Sequence, residues 1–109
     1  MVICPCTGNT LGKLASGIAD STVTLAAKAH LRNGRPLIIA VSTNDALASS
    51  AKSIGVLMDK KHVYFVPFRQ YDPQGKPPSL VADFSLVPDT VAAALNGEQL
   101  QPLLLAPPT

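Results

Sequence analysis

Charge is scarce in this chain: only 15% of its 109 residues are Asp, Glu, Lys or Arg. The 9 basic and 7 acidic residues are scattered, leave a net charge of +2, and form no basic run. A nucleic-acid footprint needs clustered cations, so that class of partner has little to rest on. No apolar stretch reaches the length of a membrane span, and no secretory signal is legible at the first residues. Cysteine is almost absent too. Cys4 and Cys6 are the two present, a disulfide between them is not expected, and a reducing cytoplasm is the simplest compartment. They form no metal-ligand spacing with His30 or His62, so no metal site is read here. Internal repeats and low-complexity segments are also missing.

A chain of this length is one small domain at most. Against the sparse charge stands a hydrophobic content of 47%. That balance predicts extra buried surface, against a partner subunit or a further segment.

The order of elements reads strand, helix, helix, strand, helix, strand, then a loop-rich tail with one more helix. Val2-Ile3-Cys4 is a strand stub. Leu11, Leu14, Ala15 and Ile18 follow at helical spacing, and Gly17 weakens that helix near its end. Asp20-Ser21 can cap a second helix, roughly 22–32, which Asn33-Gly34 stops. Its Ala, Leu, Val and Thr content predicts that it is largely buried. Leu37-Ile38-Ile39-Ala40-Val41 is the continuous apolar run of a parallel strand covered on both faces. Ser42-Thr43-Asn44-Asp45 then opens a helix whose apolar positions are Leu47, Ala51, Ile54 and Met58. Val63-Tyr64-Phe65-Val66 is the next strand, completing a βαβ unit. Residues 67–78 read as a loop, and Val87 to Leu95 as a last helix with Pro88 near its first turn and Gly97 after it.

Three connections, 5–10, 42–45 and 67–72, each follow a strand. In a parallel sheet they share the carboxyl edge, where α/β folds bind ligands. Within the first, Thr7, Gly8, Asn9 and Thr10 support two readings, a helix N-cap or a ligand-binding turn. Ser42 to Asp45 supports the same two. Cys6 is either a small half-buried side chain or a thiol activated by the helix N-terminus. Arg69 either pairs with an anionic ligand or sits on the surface. Tyr64, Phe65 and Phe68 are assigned to the core, and Lys60-Lys61 to a solvated turn.

Pro5-Cys6-Thr7-Gly8-Asn9-Thr10, followed by a helix ending Gly17-Ile18-Ala19-Asp20, resembles the signature of a flavoprotein superfamily. That superfamily contains flavin-containing cysteine decarboxylases and flavin prenyltransferases. Its signature runs Pro-Ala-Ser-Ala-Asn-Thr and then Gly-Ile-x-Asp. Pro5, Asn9, Thr10, Gly17, Ile18 and Asp20 match identically. One branch, the B subunits of dipicolinate synthase, is similar over further segments: 22–36, 42–47, 64–68, 76–82 and 99–102.

The resemblance implies an α/β, parallel-sheet, flavodoxin-like three-layer fold. It implies that residues 1–109 are the carboxyl-terminal portion of a single domain, with an irregular tail from about residue 97. The superfamily's amino-terminal half, whose first strand and loop bind the flavin phosphate, is then expected to be absent. It further implies an FMN pocket contacted by Pro5, Cys6, Thr7, Gly8, Asn9 and Thr10, with Asn9 and Asn44 as catalytic residues. The implied activity is oxidation of dihydrodipicolinate to dipicolinate during sporulation. The implied partners are an A subunit carrying NAD(P) and further copies of this chain. A Pro-x-Met-Asn clamp of the decarboxylases aligns with Val41-Ser42-Thr43-Asn44, and only the Asn is kept. That departure leaves a non-catalytic partner subunit, or a decarboxylase of a small carboxylate, as alternatives.

Overall fold

A computed structural model describes residues 1–108. The elements are β1 (Val2–Cys6), α1 (Gly8–Ser16), α2 (Thr22–Arg32), β2 (Leu37–Thr43), α3 (Ala51–Met58), β3 (Val63–Phe65), β4 (Phe68–Asp72), β5 (Lys76–Ala82) and α4 (Val87–Leu95). A short 3-10 turn, Phe84–Leu86, leads into α4.

Strand β2 is the spine of a mixed five-stranded sheet. It pairs in parallel with β1 on one side and β3 on the other, while its last residues pair antiparallel with β5. Leu37 to Val41 are all buried, as a strand covered on both faces requires. Alternation sends Leu37, Ile39 and Val41 toward Leu11, Ala27, Ile54 and Leu57 of α1 to α3. Ile38 and Ala40 face Ala94 of α4 on the other side. The result is an α/β fold of three layers. Each Leu, Ile or Val so buried contributes about 1.5–3 kcal/mol, so this one strand anchors both cores.

Pro67 moves the chain outward by one strand position, and β5 fills the gap between β2 and β4. Residues 67–78, expected to be a loop, therefore include strand β4 and the start of β5. The turn of this hairpin is held by Asp72, whose Oδ1 accepts from the Gly75 N–H at 3.0 Å. Such an Asx turn suits the sequence Asp72-Pro73-Gln74-Gly75.

The carboxyl-terminal tail meets the outer side of the sheet at Phe65 of β3 and at Phe68 of β4. The Phe65 N–H donates to Gln99 Oε1 at 2.8 Å, and Gln99 Nε2 donates to the Phe65 carbonyl at 2.6 Å. The Phe68 N–H donates to the Leu103 carbonyl, and the Leu105 N–H to the Phe68 carbonyl.

Helix α2 corrects an expectation. Only Thr24 and Ala27 are buried along it, and Leu25 is 56% exposed. Its composition favours helix, but only a narrow stripe finds a neighbour. Helix α1 ends at Ser16, where Gly17 takes the left-handed conformation at φ 73°. Ile18 thus falls outside the helix and is half exposed.

Candidate functional site

Strand β1 carries an irregularity between Ile3 and Cys6, which breaks the alternation so that both residues point into the core. Cys6 is fully buried in the hydrophobic cluster. Burial pushes its thiol up to about 12, so Cys6 is a protonated core residue at neutral pH. The reading of an activated thiol is thereby corrected; only its backbone stays at the turn.

Thr7 then caps α1. Its Oγ1 accepts from the Thr10 N–H and donates to Thr10 Oγ1, both at 3.4 Å, so the two hydroxyls are engaged with each other. The N–H groups of Gly8 and Asn9, in the first turn, have no intrahelical acceptor.

The second connection is organised by one carboxylate. Asp45 Oδ1 accepts from the Thr43 hydroxyl at 2.6 Å and the Ser50 hydroxyl at 2.8 Å, and Oδ2 accepts from the Ser49 hydroxyl at 2.6 Å. Wrapping the chain around Asp45 delays α3 until Ala51, later than the expected opening at 42–45. The buried face of α3 becomes Ile54 and Leu57, while Leu47 and Met58 are exposed.

The bonds from Ser49, Thr43 and Ser50 hold the Asp45 carboxyl down to about 2, below the ordinary value of about 3.9. A depressed folded-state pKa contributes stability above the unfolded value, which is lost as pH falls through the folded one. Acid unfolding is therefore expected to include an Asp45 contribution between about pH 4 and about pH 2. Asp45→Asn should flatten that limb when denaturant midpoints are compared across the window. Asp83, also lowered, chiefly by its bond with Ser85, cancels in the comparison.

The two connections touch. Gly8 lies so close to the Asp45 cluster that a Cβ there would stand 2.8 Å from Ser50 Oγ and 3.0 Å from both Asp45 Oδ1 and Thr43 Oγ1. Between them opens a shallow cleft of about 610 Å³, lined on the α1 side by Gly8, Asn9 and Gly12. Asn44, Asp45 and the serines 49, 50 and 53 line the facing side. Asn44 also borders a smaller hollow of about 240 Å³, opposite Tyr71 and Ser79 of the hairpin.

Of the residues singled out from sequence, the structure brings Gly8, Asn9, Thr43, Asn44 and Asp45 to one cleft. Pro5, Thr7 and Thr10 do not line it. Arg69 is committed elsewhere: it pairs with Asp83 at 3.3 Å and donates to the Ala106 carbonyl at 3.1 Å. Gly12, Ser49, Ser50, Ser53 and Ser79 were not anticipated. Ser49 and Ser53, four apart, carried the available signal.

The flavoprotein family profile matches residues 1–80. This chain belongs to the flavoprotein family. It is 49% identical over 105 residues to the B subunit of dipicolinate synthase from Bacillus subtilis (strain 168), a match covering 96% of this chain and 52% of that protein. The crystal structure of the dipicolinate synthase B subunit from Bacillus halodurans C superposes with a TM-score of 0.95 at 50% identity, covering 96% of this chain and 54% of that one. The chain thus spans about half the length of the relatives it matches.

A flavoprotein suggests a flavin, and the donor set fits part of one. The amides of Asn9 and Asn44, the first-turn N–H groups of α1 and the serine hydroxyls are uncharged hydrogen-bonding groups. They suit the carbonyl and nitrogen edge of an isoalloxazine ring. Among the described residues no Lys or Arg lines the cleft, and the ionised Asp45 would repel a phosphate. The ring edge is matched here; the phosphate is not.

Proposed function

We propose that this sequence serves in the B subunit of a dipicolinate synthase, acting with an A subunit that carries NAD(P). The reaction is the oxidation of dihydrodipicolinate to dipicolinate during sporulation, in the cytoplasm, within an assembly containing more than one copy of the subunit. The proposal concerns the whole subunit, of which this chain matches about half. The observation that carries it is the convergence of Asn9 and Asn44 on one polar cleft, in a chain half identical to B subunits.

FMN, when bound, supplies a two-electron acceptor and donor. The Asn9 amide would hydrogen-bond the ring edge at the start of α1. Asn44, between the two hollows, would orient a carboxylate of the substrate on the hairpin side. Asp45, through its bonds with Thr43, Ser49 and Ser50, fixes the shape of the second connection.

Asn9→Ala and Asn44→Ala, each assayed in the full complex with the A subunit, are expected to lower turnover roughly 100-fold, the loss seen when a positioned donor is removed. A flavin fluorescence titration of residues 1–109 with tens of micromolar FMN tests the cofactor separately. An unchanged signal rejects binding by this chain alone.

A second reading has its own observation. Where the decarboxylase clamp has Pro and Met, this chain has Val41, sealed in the core, and Thr43, whose hydroxyl is given to Asp45. A subunit that supports its partner without chemistry of its own would tolerate that. Unchanged turnover in both Asn variants selects it.

A further inference from the structure

We propose that a groove between α1 and α2, remote from the carboxyl edge, binds a small aromatic dicarboxylate. Leu14 of α1, Ile18 and Ala19 just beyond its end, and Leu31 of α2 form its apolar floor. Lys28 and Arg32, one helical turn apart on α2, and Lys60, just past α3, line it as well. The volume is about 450 Å³, within the range of small-ligand sites. It lies at the opposite end of α1 from Gly8, about 13 Å along the helix at 1.5 Å per residue.

The charge there is unanswered. Among the described residues the ion pairs are Lys13 with Asp20 and Arg69 with Asp83. Lys28, Arg32 and Lys60 belong to neither, and no described Asp or Glu lines the groove. A cation in the last turn complements the helix dipole, which accounts for Arg32. It does not account for Lys28, a turn earlier, meeting the same hollow, nor for Lys60 reaching it from another element.

An apolar floor with cations on separate elements selects the ligand class. A bare phosphate would leave the floor uncovered, and a neutral ring would leave the cations unmatched. A flat ring carrying two carboxylates satisfies both: the planar guanidinium of Arg32 takes one carboxylate in a forked pair, and the ammonium groups take the other. Such acids are dianions at neutral pH. The binding chemistry stands on this groove alone. Its biological sense, product feedback at a distance, rests on the proposed reaction, whose product is of this class.

The probe is benzene-1,3-dicarboxylate, which keeps the carboxylate spacing of dipicolinate but lacks the ring nitrogen and so does not chelate metals. Titrated into residues 1–109 and followed by amide NMR shifts, it should move signals at 14–19 and 28–32. The Lys28→Gln/Arg32→Gln variant should bind at least about tenfold more weakly, as should benzoate on the unaltered chain. The affinity should fall with added salt. Asn9→Ala/Asn44→Ala should bind as the unaltered chain does. Lys60→Gln, outside every helix, gives the same readout if the double variant loses its fold by circular dichroism. No shifts at millimolar probe, or shifts centred on residues 8–12 and 43–50 that only the Asn variant abolishes, overturn the proposal. Either outcome is independent of turnover in the complex, where the proposed function is decided.

Discussion

Gly8→Ala is expected to destabilise the chain by about 1–3 kcal/mol, the usual cost of forcing a methyl group into filled space. The new Cβ would meet Ser50 Oγ at 2.8 Å, with Asp45 Oδ1 and Thr43 Oγ1 at 3.0 Å. None of these atoms is a free side-chain end. Ser50 is buried, and its hydroxyl and that of Thr43 are both committed to Asp45. Relief requires breaking one of those bonds or lifting α1 off the second connection. For a domain near this size the thermal midpoint should drop by roughly 4–8 °C per kcal/mol. Lifting α1 also separates Asn9 from Asn44, so any ligand of the cleft should weaken together with the midpoint. A calorimetric scan showing an unchanged midpoint would mean that the close approach is not present in solution.

Phe65→Ala should cost more, about 3–5 kcal/mol, a large share of the roughly 5–15 kcal/mol that holds a domain together. The ring is 1% exposed and meets Phe68 edge-on, with centroids 6.2 Å apart and planes at 77°. Edge-to-face packing adds to the burial itself. Removing it leaves a void beneath the first residue of β4, which carries the hairpin that walls the smaller hollow. The Gln99 clasp on the Phe65 backbone would survive, because the substitution leaves the peptide groups in place. The urea midpoint should fall with little change in slope. Gln99→Ala, which frees one N–H and one carbonyl instead, should cost about 1–3 kcal/mol.

What could be read from the sequence was written in local chemistry. The apolar run 37–41, the cap at Ser21 and α4 from Val87 to Leu95 all lie where expected. The meeting of Asn9 and Asn44 was legible for a geometric reason: parallel strands deliver their following loops to one edge. The hairpin was hidden by Pro77 and Pro78, which argue against a strand. They are tolerated because they fall in the first half of β5, before its pairing with β2 begins at Leu80. The serine side of the cleft was hidden by Asp45, since no periodicity announces a carboxylate that gathers three hydroxyls and postpones a helix. Exposure of α2 was equally illegible, because composition says what a segment can form and not what lies against it.

The clasp of Gln99 and the tail strand beside Phe68 have a consequence for how copies of this chain can meet. An open strand edge is a template for another strand. The outer side of β3 is taken at Phe65 by the Gln99 side chain, and that of β4 at Phe68 by the segment Leu103 to Leu105, so a strand adding at either residue must first displace the tail. The tail is thus a guard that has to leave before either edge can recruit a strand.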